Sequence, residues 1–183
     1  MIIIKANTNK QSGLYFPLCG SSRSIKFSFT ESCKYDVRGV GNQSNLHKLF
    51  GIGLFHLFGS FKTTKTKKWW ELHKWLSIRV GWRYNPIEDV FEITDYCYIN
   101  GIGDRSTTDN VIVKVKAGDV VKCSVYFLKD GLALEINVNR NTTLITKQIA
   151  MPMFLCVPFF LRLRAYVGSG FTTLKNMIIN RYD

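Results

Sequence analysis

The sequence predicts an all-β protein built as an antiparallel two-sheet sandwich, and three observations carry that prediction. In Leu76-Ser77-Ile78-Arg79-Val80-Gly81-Trp82-Arg83-Tyr84, Leu76, Ile78, Val80, Trp82 and Tyr84 fall on one side. Ser77, Arg79, Gly81 and Arg83 fall on the other. A period of two marks a strand with one wet face and one buried face. The same period recurs along most of the chain, giving about eleven strand segments roughly 8–14 residues apart, with hardly any helical periodicity. Aromatic residues make up 14% of the chain, a high share that suits side chains packing across strands.

Taken in order, residues 1–22 read as an N-terminal arm or edge strand. A β-prone start (Ile2 to Lys5) leads into a polar stretch, then Leu14 to Leu18, then a Gly20-Ser21-Ser22 break. Such an arm covers its own sandwich or a neighbour. The body, residues 23–183, opens with Ile25, Phe27 and Phe29 alternating with Lys26, Ser28 and Thr30. Leu46 to Phe58 is apolar at nearly every position, as for a strand covered on both faces. Gly51 and Gly53 strip side chains from one of those faces, which permits a bulge or a close approach. Asn85-Pro86 and Asp89 mark the turn before a strand from Val90 to Ile99, which Asn100-Gly101 closes. Val111 to Val115 is a short strand. Val121 to Phe127 and Leu132 to Val138 form a hairpin about Lys129-Asp130-Gly131. Leu144 to Ile149, Phe159 to Val167 and Leu174 to Ile179 complete the sheets.

At 183 residues the chain suffices for one domain with a sizeable core. No apolar run approaches the roughly 20 residues of a spanning helix. The stretch Met151 to Leu161 is interrupted by Pro152 and Pro158. The apolar start is too short for a secretion signal, so folding in the cytoplasm of the producing cell is expected. The five cysteines, at 19, 33, 97, 123 and 156, are odd in number and form no C-x-x-C pair, so free thiols are expected and no zinc site. The formal charge of +12, from 25 basic and 13 acidic residues, predicts attraction to anionic surfaces without choosing among them.

Several segments carry a family likeness. They are Ile25-Lys26-Phe27, His47-Lys48-Leu49-Phe50-Gly51, Arg79 to Pro86, Tyr96-Cys97-Tyr98-Ile99-Asn100-Gly101, and Leu163 to Gly170 with a final Met177-Ile178-Ile179. Together they resemble small concanavalin-like jelly-roll proteins encoded by Bacteroides and their phages, crAss-like phages included. The likeness covers about residues 25–180. It implies a lectin-like jelly-roll sandwich and, in a phage setting, a virion component such as a capsid-associated or head-fibre protein. Its partners would then be other virion proteins or copies of itself. Tyr166-Val167-Gly168-Ser169 departs from the Tyr-x-Gly-Gly-like turn of that family.

Concanavalin-like folds include glycoside hydrolases, which place their acids on one strand face, with two carboxyls about 5–5.5 Å apart in retaining enzymes. The nearest match, Glu92-Ile93-Thr94-Asp95, puts the two acids an odd number apart and so on opposite faces. His47, His56 and His73 lack metal-ligand spacing. Asn100 to Asp104 and Asp109-Asn110 offer some oxygens for calcium, short of a full loop. The expectation is therefore a protein with no cofactor that is not an enzyme.

Binding residues are expected in two places. One is Lys62 to Trp75, where Lys65, Lys67 and Lys68 supply attraction and Trp69, Trp70 and Trp75 supply contact area. Tryptophan with lysine suits a glycan, single-stranded nucleic acid or a protein interface, and equally a core cap beside solvated lysines. A protein partner or a glycan is expected ahead of nucleic acid. The other is Arg79 and Arg83 with Arg162 and Arg164, two i, i+2 pairs that share a surface if their strands are neighbours. Pairing with Glu92 or Glu135 is the ordinary alternative. Two functions follow: a structural or adhesive virion protein, or a carbohydrate-binding lectin-like module.

Overall fold

The computed structural model describes residues 1–8, 18–38, 45–55, 76–99, 102–103, 111–148, 159–167 and 175–182. Two antiparallel sheets lie face to face, as the alternation predicts. The first is ordered β1 (Ile2–Ile4), β13 (Met177–Tyr182), β3 (Ser22–Phe29), β9 (Val121–Leu128), β10 (Gly131–Val138) and β11 (Asn141–Gln148). The second is ordered β2 (Leu18–Cys19), β12 (Phe159–Leu163), β4 (His47–Phe55), β5 (Leu76–Asn85), β6 (Val90–Ile99) and β7 (Ile102–Gly103). The short β8 (Val113–Val115) also pairs with β6, which makes this the seven-stranded sheet. No helix among the described residues is long and apolar enough to cross a membrane.

Two short pieces of the N-terminal segment, residues 2–4 and 18–19, are edge strands. Ile2 to Ile4 pair with Ile179 to Met177, and Leu18 and Cys19 pair with Leu161 and Phe160. Residues 2–4 and 18–19 thus close one edge of each sheet on their own chain, and Ile2 and Ile4 are buried in its core.

Aromatic rings fill the space between the layers. Phe29 of β3 stacks on Phe91 of β6 with centroids 4.5 Å apart and lies 4.8 Å from Trp82 of β5. Phe27 meets Phe29 edge-on at 5.3 Å. These contacts follow from phase, because every second residue of each strand points inward. Cys33, Cys97 and Cys123 are free thiols buried as apolar filler.

The hairpin β9–β10 turns on Lys129-Asp130, as expected, with Leu128 opposite Gly131. The next turn differs from expectation. Asn139 and Arg140 both take positive φ (49° and 71°), and β11 begins at Asn141 rather than Leu144. Two left-handed residues in a two-residue loop form the turn whose twist matches paired strands. It lacks the glycine that usually announces it.

His47 of β4 is buried, with its ring 4.9 Å from that of Trp82 and 5.0 Å from that of Tyr35. Burial, reinforced by the charge of Lys48, holds its imidazole down to about 3 from an ordinary 6.5. The unfolded chain therefore takes up this proton first. The contribution to stability is complete above pH 6.5 and drains away as pH falls towards 3. A His47→Phe variant is expected to flatten the plot of urea midpoint against pH above about pH 5, where carboxylates stay charged. An unchanged slope would refute this assignment.

Candidate functional site on the outer face of the seven-stranded sheet

Residues 62–75, with Lys65, Lys67, Lys68, Trp69, Trp70 and Trp75, lie outside the described residues, as do most of the residues considered for calcium. The four arginines do not share a surface. Strand β4 separates β5 from β12, and the registers oppose: Arg79 aligns with Gly51, whereas Arg162 aligns with Ile52 and thus with the buried Ile78. Arg79 and Arg83 face outward, Arg162 faces between the sheets, and Arg164 follows the end of β12.

Arg83 takes the ordinary alternative. Its Nε donates to Glu92 Oε2 at 2.6 Å, directly across from β5 to β6. Asn85 Nδ2 donates to Glu92 Oε1 at 3.0 Å. Burial pushes the Glu92 carboxyl up, but the hydrogen bonds from Asn85 and Arg83 outweigh it and hold it below its ordinary 4.5. Glu92 stands outward, while Asp95, opposite Val80, turns into the core, as their odd spacing predicts.

The feature that sequence reasoning missed is a lysine among tyrosines. A bulge between Lys48 and Phe50 inserts Leu49 into β4, so that His47 aligns with Trp82 and Lys48 with Gly81. Lys48 therefore points outward even though Phe50, two residues on, points inward. Gly81 presents no side chain in its path. The Lys48 Nζ lies 4.3 Å from the ring centroid of Tyr96 and 5.2 Å from that of Tyr166, a geometry worth about 0.5–1 kcal/mol per ring at an exposed site. Tyr166 is fixed by paired 2.7 Å backbone hydrogen bonds with Lys48. Tyr96 and Tyr98 stand two apart on one face of β6, with hydroxyls 3.2 Å apart. The Tyr98 ring lies over Gly103, where an added Cβ would come within 3.3 Å of it.

Part of this face is covered. Arg79 is 8% exposed, Thr94 2% and Ser77 0%, although none of them points into the core. Around it stand Lys48, Arg79, three phenols and a hydroxyl row, with the Arg83–Glu92 pair neutral beside them. The set offers aromatic faces, hydroxyl donors and acceptors, and an excess of positive charge. The tyrosines were legible as strand-face residues from their i, i+2 spacing. Lys48 was not, because only the bulge turns it outward.

No family model and no curated protein matches this chain. Solved structures do. An alginate lyase from Klebsiella pneumoniae aligns with a TM-score of 0.55 at 8% identity, over 88% of this chain and 57% of that one. The alginate lyase vAL-1 from Chlorella virus aligns at 0.45 with 11% identity, over 98% and 80% of the two chains. Lectin II from Ulex europaeus aligns at 0.41 with 16% identity, over 97% and 82%. Of these three, the first exceeds 0.5, and its identity confines the likeness to the fold. The chain spans little more than half the length of that protein.

That likeness corrects the expectation that the chain is not an enzyme. The expectation rested on the missing acid pair of a glycoside hydrolase, and the aligned fold is that of an enzyme named as a lyase. The absence of one acid pair excludes one chemistry only.

Proposed function

We propose that this protein binds an acidic saccharide across the outer face of its seven-stranded sheet. The observation that carries this reading is the Lys48 ammonium set between the rings of Tyr96 and Tyr166, with Tyr98 hydrogen-bonded alongside. Tyrosines give a sugar flat apolar contact and hydroxyl partners at once. Lys48, itself half-buried, supplies charge for a carboxylate where water screens it less, and Arg79 beneath adds to the positive potential. The formal charge of +12 attracts a polyanion from a distance. The fold shared with an alginate lyase makes alginate, a chain of uronates, the natural probe.

Calorimetric titration with alginate oligomers, and with neutral gluco-oligosaccharides of equal length, tests the proposal. Binding of the acidic chain alone is expected. Hydrogen bonds to charged groups contribute about 1.5–3 kcal/mol, so Lys48→Met is expected to weaken binding about tenfold or more. Tyr98→Phe is expected to weaken it less. Failure to bind alginate would overturn the reading. So would loss of binding in Trp70→Ala with none in Lys48→Met, which would move the site to residues 62–75. Shortening of the alginate during the titration would identify turnover. A saccharide-binding protein carried on a virion satisfies both this reading and the family resemblance, and probing purified particles for the chain decides that point.

A further inference from the structure

We propose a second site, between the sheets, where Arg162 takes a small oxyanion of the phosphate or sulfate kind. Arg162 shares the interior side of β12 with Phe160, two residues before it, whose ring lies 5.2 Å from that of Phe127 in the opposite sheet. Facing it from β3 is Arg23. This residue aligns with Val125, and so lies on the interior side of the six-stranded sheet with Ile25, Phe27 and Phe29. Arg23 Nη1 crosses the gap and donates to Leu163 O at 2.9 Å and to Gly51 O at 3.5 Å. Its guanidinium lies 5.2 Å from the Phe50 centroid. The charge of Arg23 is thus delivered to the backbone of the residue next to Arg162.

Arg162 has no such arrangement. The side chain is half-buried, and its Nε is buried with no hydrogen-bond partner. None of the ion pairs among the described residues includes it. A guanidinium whose Nε is shut from water with no partner loses hydration that nothing restores, and the charge of Arg23, bonded to the carbonyl of the next residue, adds to the positive potential there. An oxyanion removes both penalties. The planar guanidinium fork matches a tetrahedral oxyanion in two parallel hydrogen bonds. Sheets about 10 Å apart admit a small solute rather than a polymer, so this site is distinct from the saccharide face and independent of it.

Thermal unfolding in phosphate or sulfate, against chloride at matched ionic strength, tests the proposal. The wild-type midpoint is expected to rise with the logarithm of phosphate concentration, as ligand binding to the folded state requires. Arg162→Met is expected to lose that response and to unfold in chloride at or above the wild-type temperature, since the unpaired charge is gone. Arg162→Lys keeps a charge without the fork and is expected to need about tenfold more phosphate for the same rise. Arg38→Met, which removes an exposed arginine paired with Asp36, is expected to keep the full response. A wild-type protein indifferent to both anions would overturn the site. So would an undiminished response in Arg162→Met or, if that variant fails to fold, in Arg162→Lys.

Discussion

Phe29→Ala is expected to destabilise the sandwich by about 3–5 kcal/mol, the range for truncating a fully buried phenylalanine. Phe29 has no solvent exposure, and its ring touches Phe27 from its own strand and Trp82 and Phe91 from the facing sheet. Its removal opens a cavity where the two layers meet, and rigid aromatic neighbours collapse poorly into such a void. Urea unfolding followed by tryptophan fluorescence measures the loss. Ile87→Ala, at a side chain 79% exposed in the β5–β6 turn, is the control. It is expected to change stability by less than about 0.5 kcal/mol. Equal effects at the two positions would contradict the placement of the core.

Gly51→Ala is expected to cost about 3 kcal/mol, the upper part of the overpacking range. A Cβ there would stand 2.3 Å from Ile78 O and 2.6 Å from Arg79 Cγ. The carbonyl belongs to the backbone of the paired strand and cannot swing aside, so β4 and β5 must part. Arg79 would lose the hollow its alkyl stem occupies, and saccharide binding is expected to fall with stability. Gly20→Ala meets nothing within 4 Å and is expected to be near neutral. Parallel urea curves for the two variants check this, and a stable Gly51→Ala protein would refute the close approach.

The sandwich was legible because alternation is a local signal that survives without knowledge of neighbours. Ile25, Phe27 and Phe29, and Leu76 through Tyr84, show their inward sides in the letters alone. The hairpin at Lys129-Asp130 was legible for the same reason. The turn at Asn139-Arg140 was not, since left-handed backbone there is imposed by the strands it joins rather than advertised by glycine. The candidate site divides along the same line. Glu92 and Asp95 were rightly assigned to opposite faces from their spacing. The shared arginine surface failed because it depended on which strands are neighbours, a property of topology. Buried polar groups such as Arg79 were equally opaque, because alternation reports which way a side chain points and not what lies above it.

The extra residue in β4 resets the strand's beat. Upstream of Leu49, even numbers look outward; downstream, odd numbers do. Straightening the bulge with Leu49 kept in the ladder would carry the frame of Phe50, Ile52 and Leu54 back to Lys48, and the ammonium group would then be aimed into the hydrocarbon interior while the imidazole went out to solvent; deleting Leu49 outright leaves both where they are. Point substitutions along β4 therefore probe only half of what this stretch encodes. Its other half is a count, one residue more than β5 offers opposite it, and drawing that residue into the ladder would turn the face over.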